Sequence, residues 1–350
     1  MEETTTPLFS FYVPDLYYTA YYYPEDEGIN PIIYQAVKIL NIIIYSVTFL
    51  LGVFGNGLVI WITGFKMHKS VSTIWFLNLA IADFVFDVFF PLQISEWVMN
   101  GHWPFGQVMC KVIFTAIFLN MSVSTTFLMV ISIDRCTSVL CPVWSKNYKT
   151  LKMAASISVL IWTACFILST PYLAFFDILH DSDSNRSYCF PIYSEDDHVD
   201  QVRYKAMLIT RFVIMFLIPF SITLICYSLL AIRLRRRRSL SISGRPFKVI
   251  FTIVATFFCF WFPFHLYPFL EYMNVEISDT VDFAMSNTVY AIGFFNSCIN
   301  PMVYAFIGRD FKKSLQKSVP FLLESTFKEK FEVEDPCSRF MVETEMDTYN

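Results

Sequence analysis

Residues 112–136 read VIFTAIFLNMSVSTTFLMVISIDRC. Twenty-two uncharged residues precede Asp134, and Arg135 follows it at once. A bilayer's hydrocarbon core takes about 20 apolar residues as helix, so this run spans a membrane and leaves its two charges at one rim. Outward from it, six similar runs complete a set at 36–65, 72–98, 107–139, 151–175, 204–234, 246–271 and 281–306. The 350 residues are 55% hydrophobic, with mean hydropathy +0.49, as in polytopic membrane chains. The expected fold is an all-α membrane protein, a seven-transmembrane helix bundle over 38–307. An outer segment, 1–37, precedes it and an inner segment, 308–350, follows.

Basic residues concentrate on the inner side of membrane proteins. With the N-terminus outside, the inner segments hold 20 of the 26 Lys and Arg residues. The expectation is a multi-pass plasma-membrane chain, N-terminus extracellular and C-terminus cytosolic. Residues 1–35 have neither a basic start nor an apolar core, so no cleaved signal peptide is read there. Seven of the nine cysteines fall in helices or on the inner side, where thiols stay reduced. Cys110 and Cys189 alone face outward, which predicts a disulfide pinning the second outer loop across the bundle mouth. Asn185-Arg186-Ser187 in that loop is a glycosylation sequon, whereas Asn120-Met121-Ser122 lies inside a helix.

Each helix also carries a short motif. Gly55-Asn56-Gly57 lies in the first helix and Leu77-Asn78-Leu79-Ala80-Ile81-Ala82-Asp83 in the second. Asp134-Arg135-Cys136 follows in the third, Trp162 in the fourth and Pro219 in the fifth. Phe260-Trp261-Phe262-Pro263 and Asn300-Pro301-Met302-Val303-Tyr304 occupy the sixth and seventh. In this order they resemble the rhodopsin-like (class A) G-protein-coupled receptors over about residues 40–320. Asp134 to Asn147, Arg245 to Ile250 and Phe295 to Pro301 are similar to the chemoattractant subgroup of chemerin and formyl-peptide receptors. One departure stands out. The third-helix acid that the formyl-peptide receptors use has no counterpart, because Ile117, Phe118 and Leu119 fill that region.

Asp83 is a carboxylate near mid-membrane, where a charge needs partners. Asn56, Asn120, Ser124, Asn296 and Asn300 supply polar groups at matching depth. The resemblance implies a pocket for an allosteric sodium ion around Asp83, Asn120, Ser124, Asn296 and Asn300; a polar core that only aligns helices is the alternative. It further implies that Asp134 and Arg135 form a local ion pair that breaks on activation, Arg135 then reaching toward Tyr227, Tyr304 and the G-protein. Trp261, Pro263, Asn300, Pro301 and Tyr304 are then the activation switch. Pro219, Pro263 and Pro301 each remove a helix hydrogen bond and create a kink.

Arg211 lies about two turns before Pro219 on an otherwise apolar helix. An intramembrane arginine faces the bundle or a watery cavity, and its fork matches a carboxylate. In chemoattractant relatives a matching arginine takes a peptide's C-terminal carboxylate. The alternative is an internal pair with Asp87, one turn above Asp83. Phe118, His265 and Tyr290 are candidate lining residues, and Glu96 and Glu271 candidate contacts for basic ligand groups.

Residues 1–37 hold six acids and no Lys or Arg, interleaved with tyrosines; such a stretch does not pack alone. Tyr17, Tyr18, Tyr21, Tyr22 and Tyr23 are candidates for sulfation. Asp177, Asp181, Asp183, Glu195, Asp196, Asp197 and Asp200 repeat the sign in the second outer loop. Together they predict a negative funnel that speeds capture of a basic ligand. On the inner side, Phe311, Leu315 and Val319 oppose Arg309, Lys312, Lys313 and Lys317 after Gly308. That pattern predicts a short amphipathic helix on the membrane surface, in contact with lipid. Tail serines and threonines offer phosphorylation sites for receptor kinases and arrestin. No catalytic constellation, phosphate loop, zinc spacing or nucleic-acid motif is present, so no enzyme and no further cofactor is expected.

The reading is a receptor for a chemoattractant peptide or small protein, chemerin-like, acting through inhibitory-type heterotrimeric G-proteins in chemotaxis and inflammation. Formyl-peptide, anaphylatoxin and chemokine receptors are alternatives, as is a non-signalling decoy. A chemokine receptor usually adds a disulfide from its N-terminal tail, which here has no cysteine. A transporter would show repeated halves with broken helices, and these are absent from the sequence.

Overall fold

A computed structural model describes residues 29–181, 185–194, 196–236, 244–273 and 277–302. Tyr17, Tyr18, Tyr21, Tyr22, Tyr23, Tyr304 and the surface helix expected after Gly308 lie outside the described residues.

The first helix, Pro31–Trp61, begins where Asn30 accepts a hydrogen bond from the Ile32 amide. That start falls inside the stretch assigned to the outer segment. It runs into a wide turn, Ile62–Lys66. The second span is two helices, Val71–Asp87 and Phe90–Val98. Pro91 has no amide hydrogen to give the Asp87 carbonyl four residues back, which is why the rod breaks there. The third helix, Gly106–Leu140, is the longest single stretch, and the second, fourth and fifth spans pack on it. A short helix, Pro142–Tyr148, leads to the fourth, Leu151–Phe175.

The fifth span starts at Asp197, capped by Asp196, whose carboxylate accepts from Val199. It widens to a π-helical turn over Arg211–Leu217 and resumes as Ile218–Arg236. Ile218 donates to Val213, five residues back, immediately before Pro219. The wide turn thus leads the ladder around the amide that proline lacks. The sixth helix is Gly244–Tyr272. The seventh, Asp279–Phe295, tightens to a 3₁₀ turn, Asn296–Cys298, before Pro301.

Among the described residues, five spans are both long and apolar enough to cross a bilayer. The sixth contributes the shorter apolar stretch Val254–Leu270, and the seventh helix, Asp279–Phe295, has 17 residues. The chain is a multi-pass seven-helix bundle.

Proline gaps are filled by neighbours. Pro301 frees the Ser297 carbonyl, and Asn56 of the first helix donates to it at 3.1 Å. In the fourth helix Pro171 frees the Ile167 carbonyl, which takes the Thr170 hydroxyl at 2.7 Å.

Over one end lies a hairpin, β1 (Phe176–Asp181) antiparallel to β2 (Arg186–Pro191). Cys189 of β2 is disulfide-bonded to Cys110 of the third helix, as the cysteine count predicts. Asn185 is exposed at the hairpin tip, and its φ of 52° is a left-handed turn conformation.

Candidate functional site

Among the buried polar groups inside the bundle, one region centres on Asp83 and another on Arg211. In the deeper one, Asp83 accepts from Asn120 Nδ2 at 3.0 Å, Ser124 Oγ at 3.1 Å and Asn300 Nδ2 at 2.8 Å. Donors from the third and seventh helices therefore converge on a carboxylate of the second. Asn296 is buried beside this network, and its Oδ1 accepts no hydrogen bond among the described residues.

Asp87 corrects the proposed pairing with Arg211. Ser297 Oγ donates to it at 2.5 Å and Asn56 Nδ2 at 3.0 Å, so it faces the first and seventh helices. The reason is helical phase. Residues four apart share a face, and Asp83 already fixes which way that face points. Gly52 of the first helix makes the room, because any Cβ there would overlap the Asp87 carboxylate. No ion pair joins Asp87 to Arg211 among the described residues.

The second region is built around Arg211, which opens the π-helical turn and is only 7% exposed. Its guanidinium carbon is 4.8 Å from the Phe264 ring centroid and 5.7 Å from that of Phe118. Both are within cation–π range. Its Nε has no hydrogen-bond partner, and no carboxylate pairs with it among the described residues.

Phe118 stacks on Tyr172, and Phe264 meets His265, Tyr290 and Trp261 edge-on. His265 is buried among Phe212, Phe216 and Phe264, with Nδ1 unpartnered among the described residues. The structure therefore joins Arg211, Phe118, His265 and Tyr290 into one lining. Glu96 is elsewhere, buried rather than solvated at the end of its helix. The Glu271 side chain lies outside the described residues.

Trp261 forms the floor between the two regions, packed on Phe257, Phe264 and Phe294. Gly293 of the seventh helix passes close enough that a Cβ would touch its ring at 3.4 Å.

Three of the loop acids have local partners. Asp200 is buried, accepting from the amides of Tyr193 and Ser194 at 3.0 Å each, and Asp196 caps the fifth span. Asp177 accepts from Gln107 and from the Ile178 amide, with Lys111 3.6 Å away. Asp183, Glu195 and the Asp197 side chain lie outside the described residues.

At the opposite end, the expected Asp134–Arg135 pair is loose at 4.0 Å. Lys149 holds Asp134 instead, at 2.9 Å, and Arg135 Nη2 donates to Ser72 Oγ at 2.7 Å. Adjacent helix positions point about 100° apart and do not face each other. Tyr227 of the fifth span stacks edge-on against Phe251 of the sixth. Sequence reasoning missed Lys149, since a basic loop residue reads as a solvated charge.

The family described as "7 transmembrane receptor (rhodopsin family)" matches residues 55–304. Chemerin-like receptor 1 of Bos taurus is 41% identical over 313 residues, covering 83% of this chain and 85% of that protein. Formyl peptide receptor 2 of Mus musculus is 36% identical over 307 residues, covering 84% and 87%. The C3a anaphylatoxin chemotactic receptor of Oncorhynchus mykiss is 34% identical over 322 residues, covering 91% and 88%. A seven-helix bundle with a disulfide-pinned hairpin and a buried arginine among aromatic rings, and these relatives across four-fifths of its length, place the chain in the rhodopsin family of seven-transmembrane receptors, among the chemoattractant receptors.

Proposed function

We propose that this chain is a plasma-membrane receptor for a chemoattractant peptide or small protein, chemerin-like in class, signalling through inhibitory-type G-proteins. The hairpin end faces outward, in keeping with the bias of basic residues to the other side. A ligand's C-terminus enters beneath the hairpin, and its carboxylate takes the Arg211 fork. The observation that carries this reading is a buried guanidinium between two rings with no anion beside it among the described residues. A charge so placed is costly unless something supplies the opposite sign. Ligand engagement then presses on Phe264 and Trp261, which meet edge-on at 5.0 Å. Arrestin and receptor kinases act on the tail.

The donor set around Asp83 fits a small hard cation. Asp83, Ser124 and the amide oxygens of Asn120 and Asn296 would hold a sodium ion, with Asn300 bonded to the same carboxylate. When bound, the ion neutralises the carboxylate in the resting state.

The test uses cells expressing the full chain, read by inhibition of cAMP formation. Basic chemoattractant proteins and their C-terminal peptides are screened, each peptide as free acid and as amide. Arg211→Ala should weaken the free acid by about 30-fold or more, the scale of an orphaned charge partner, and leave the amide unchanged. Full potency of the free acid on Arg211→Ala at normal surface expression would end the carboxylate reading.

A further inference from the structure

The short helix Pro142–Tyr148 ends at Lys149, and this lysine does not return to water. Its ammonium is 2.9 Å from Asp134 Oδ1, and it donates to the Asp134 carbonyl at 2.6 Å and to Ser138 Oγ at 2.8 Å. All three ammonium hydrogens thus have acceptors on the third helix. The two side chains are 10% and 9% exposed, so each charge needs the other. Arg135 is no competitor here. Its Nε is 4.0 Å from the carboxylate and makes no hydrogen bond among the described residues, while Nη2 is engaged by Ser72 of the second helix.

Lys149 is also fixed from behind. Its amide donates to Ser145 of the short helix, and the next residue, Thr150, caps the fourth helix through the Met153 amide. Moving the short helix therefore moves the ammonium away from Asp134. We propose that Lys149 is the counter-ion that holds Asp134 at rest, making the second inner loop the positioning element for the Asp134–Arg135 end of the third helix. This rests on the G-protein reading above, and it places the latch between a loop and a helix, not between neighbours in sequence. A partner that lifts the loop uncovers a buried carboxylate, and Arg135 is left as the nearest cation to it.

The experiment uses the full chain in nanodiscs with a purified inhibitory-type heterotrimer, and hydrogen–deuterium exchange of residues 142–149. Lys149→Met should raise ligand-independent nucleotide exchange, and speed amide exchange in the short helix, by about tenfold, as expected for a lost charge-assisted bond. Lys149→Arg should rescue both. Asp134→Asn should match Lys149→Met, and the double variant should add nothing, the mark of one shared interaction. If Lys149→Met fails to express, Asp134→Asn probes the same bond from the other side. Unchanged nucleotide and amide exchange in both single variants would overturn the proposal. Faster amide exchange without nucleotide exchange under any stimulant would uphold the latch and remove the G-protein reading.

Discussion

Asp87 and Gly52 show how one missing methyl group fixes a charge. The Asp87 carboxyl occupies the space that a Cβ at Gly52 would fill, held there by Asn56 and Ser297. Gly52→Ala should therefore lower the thermal midpoint by the equivalent of about 1–3 kcal/mol, the usual cost of overpacking. Adding Asp87→Ala should recover part of that loss, which a differential scanning measurement on the double variant checks. Asp177 acts at the surface. Partial burial opposes its ionisation, but the Ile178 amide, Gln107 and Lys111 outweigh that, and its carboxyl titrates below the usual range. A depressed carboxylate stabilises fully above the unfolded value, and the gain is lost as pH falls through the folded one. The stability gap between the native chain and Asp177→Asn should be largest near neutrality and close in acid. At such an exposed site it should stay under about 1 kcal/mol.

Among the elements, helix existence was legible and helix rotation was not. Apolar runs place every span, because the bilayer dictates length. The break at Pro91 and the wide turn at Arg211–Leu217 left no trace in hydropathy, since neither changes which residues are apolar. Helical phase could have corrected the Arg211–Asp87 pairing: Asp87 shares its face with Asp83, whose partners lie on the third and seventh helices. Asp196 was read as a funnel acid, because the apolar run starts at 204 and the polar first turns of the fifth span, which Asp196 caps, carry no hydropathy signal. Lys149 was not legible either, because its partner lies 15 residues back on another helix. The disulfide was fully legible from compartment alone. It closes a 79-residue separation, and a loop of that size gives about 4 kcal/mol in the chain-entropy account. Cys189→Ser should lower the midpoint accordingly and, by freeing β2, abolish high-affinity ligand binding.

For the whole molecule, the polar core runs from the first helix through the second and third to the seventh. Asn56 ties the first helix to the second and the seventh, donating to Asp87 and to the Ser297 carbonyl. A cation bound at Asp83 would stabilise the resting bundle by mass action. Replacing choline with sodium in the buffer should therefore raise the midpoint of the native chain and of Asp87→Asn. The same exchange should leave Asp83→Asn unmoved, which separates an ion site from a purely structural network.

The π-helical turn before Pro219 holds one residue of slack. Drawing that slack out would advance the register below it by a single position, about 100° of rotation and 1.5 Å of travel along the axis. Cys226 and Tyr227, which pack within the bundle just beneath, would be swung to a new azimuth as one rigid rod. A pull on Arg211 need not bend the fifth span to be felt at its far end; unwinding it by one notch is enough.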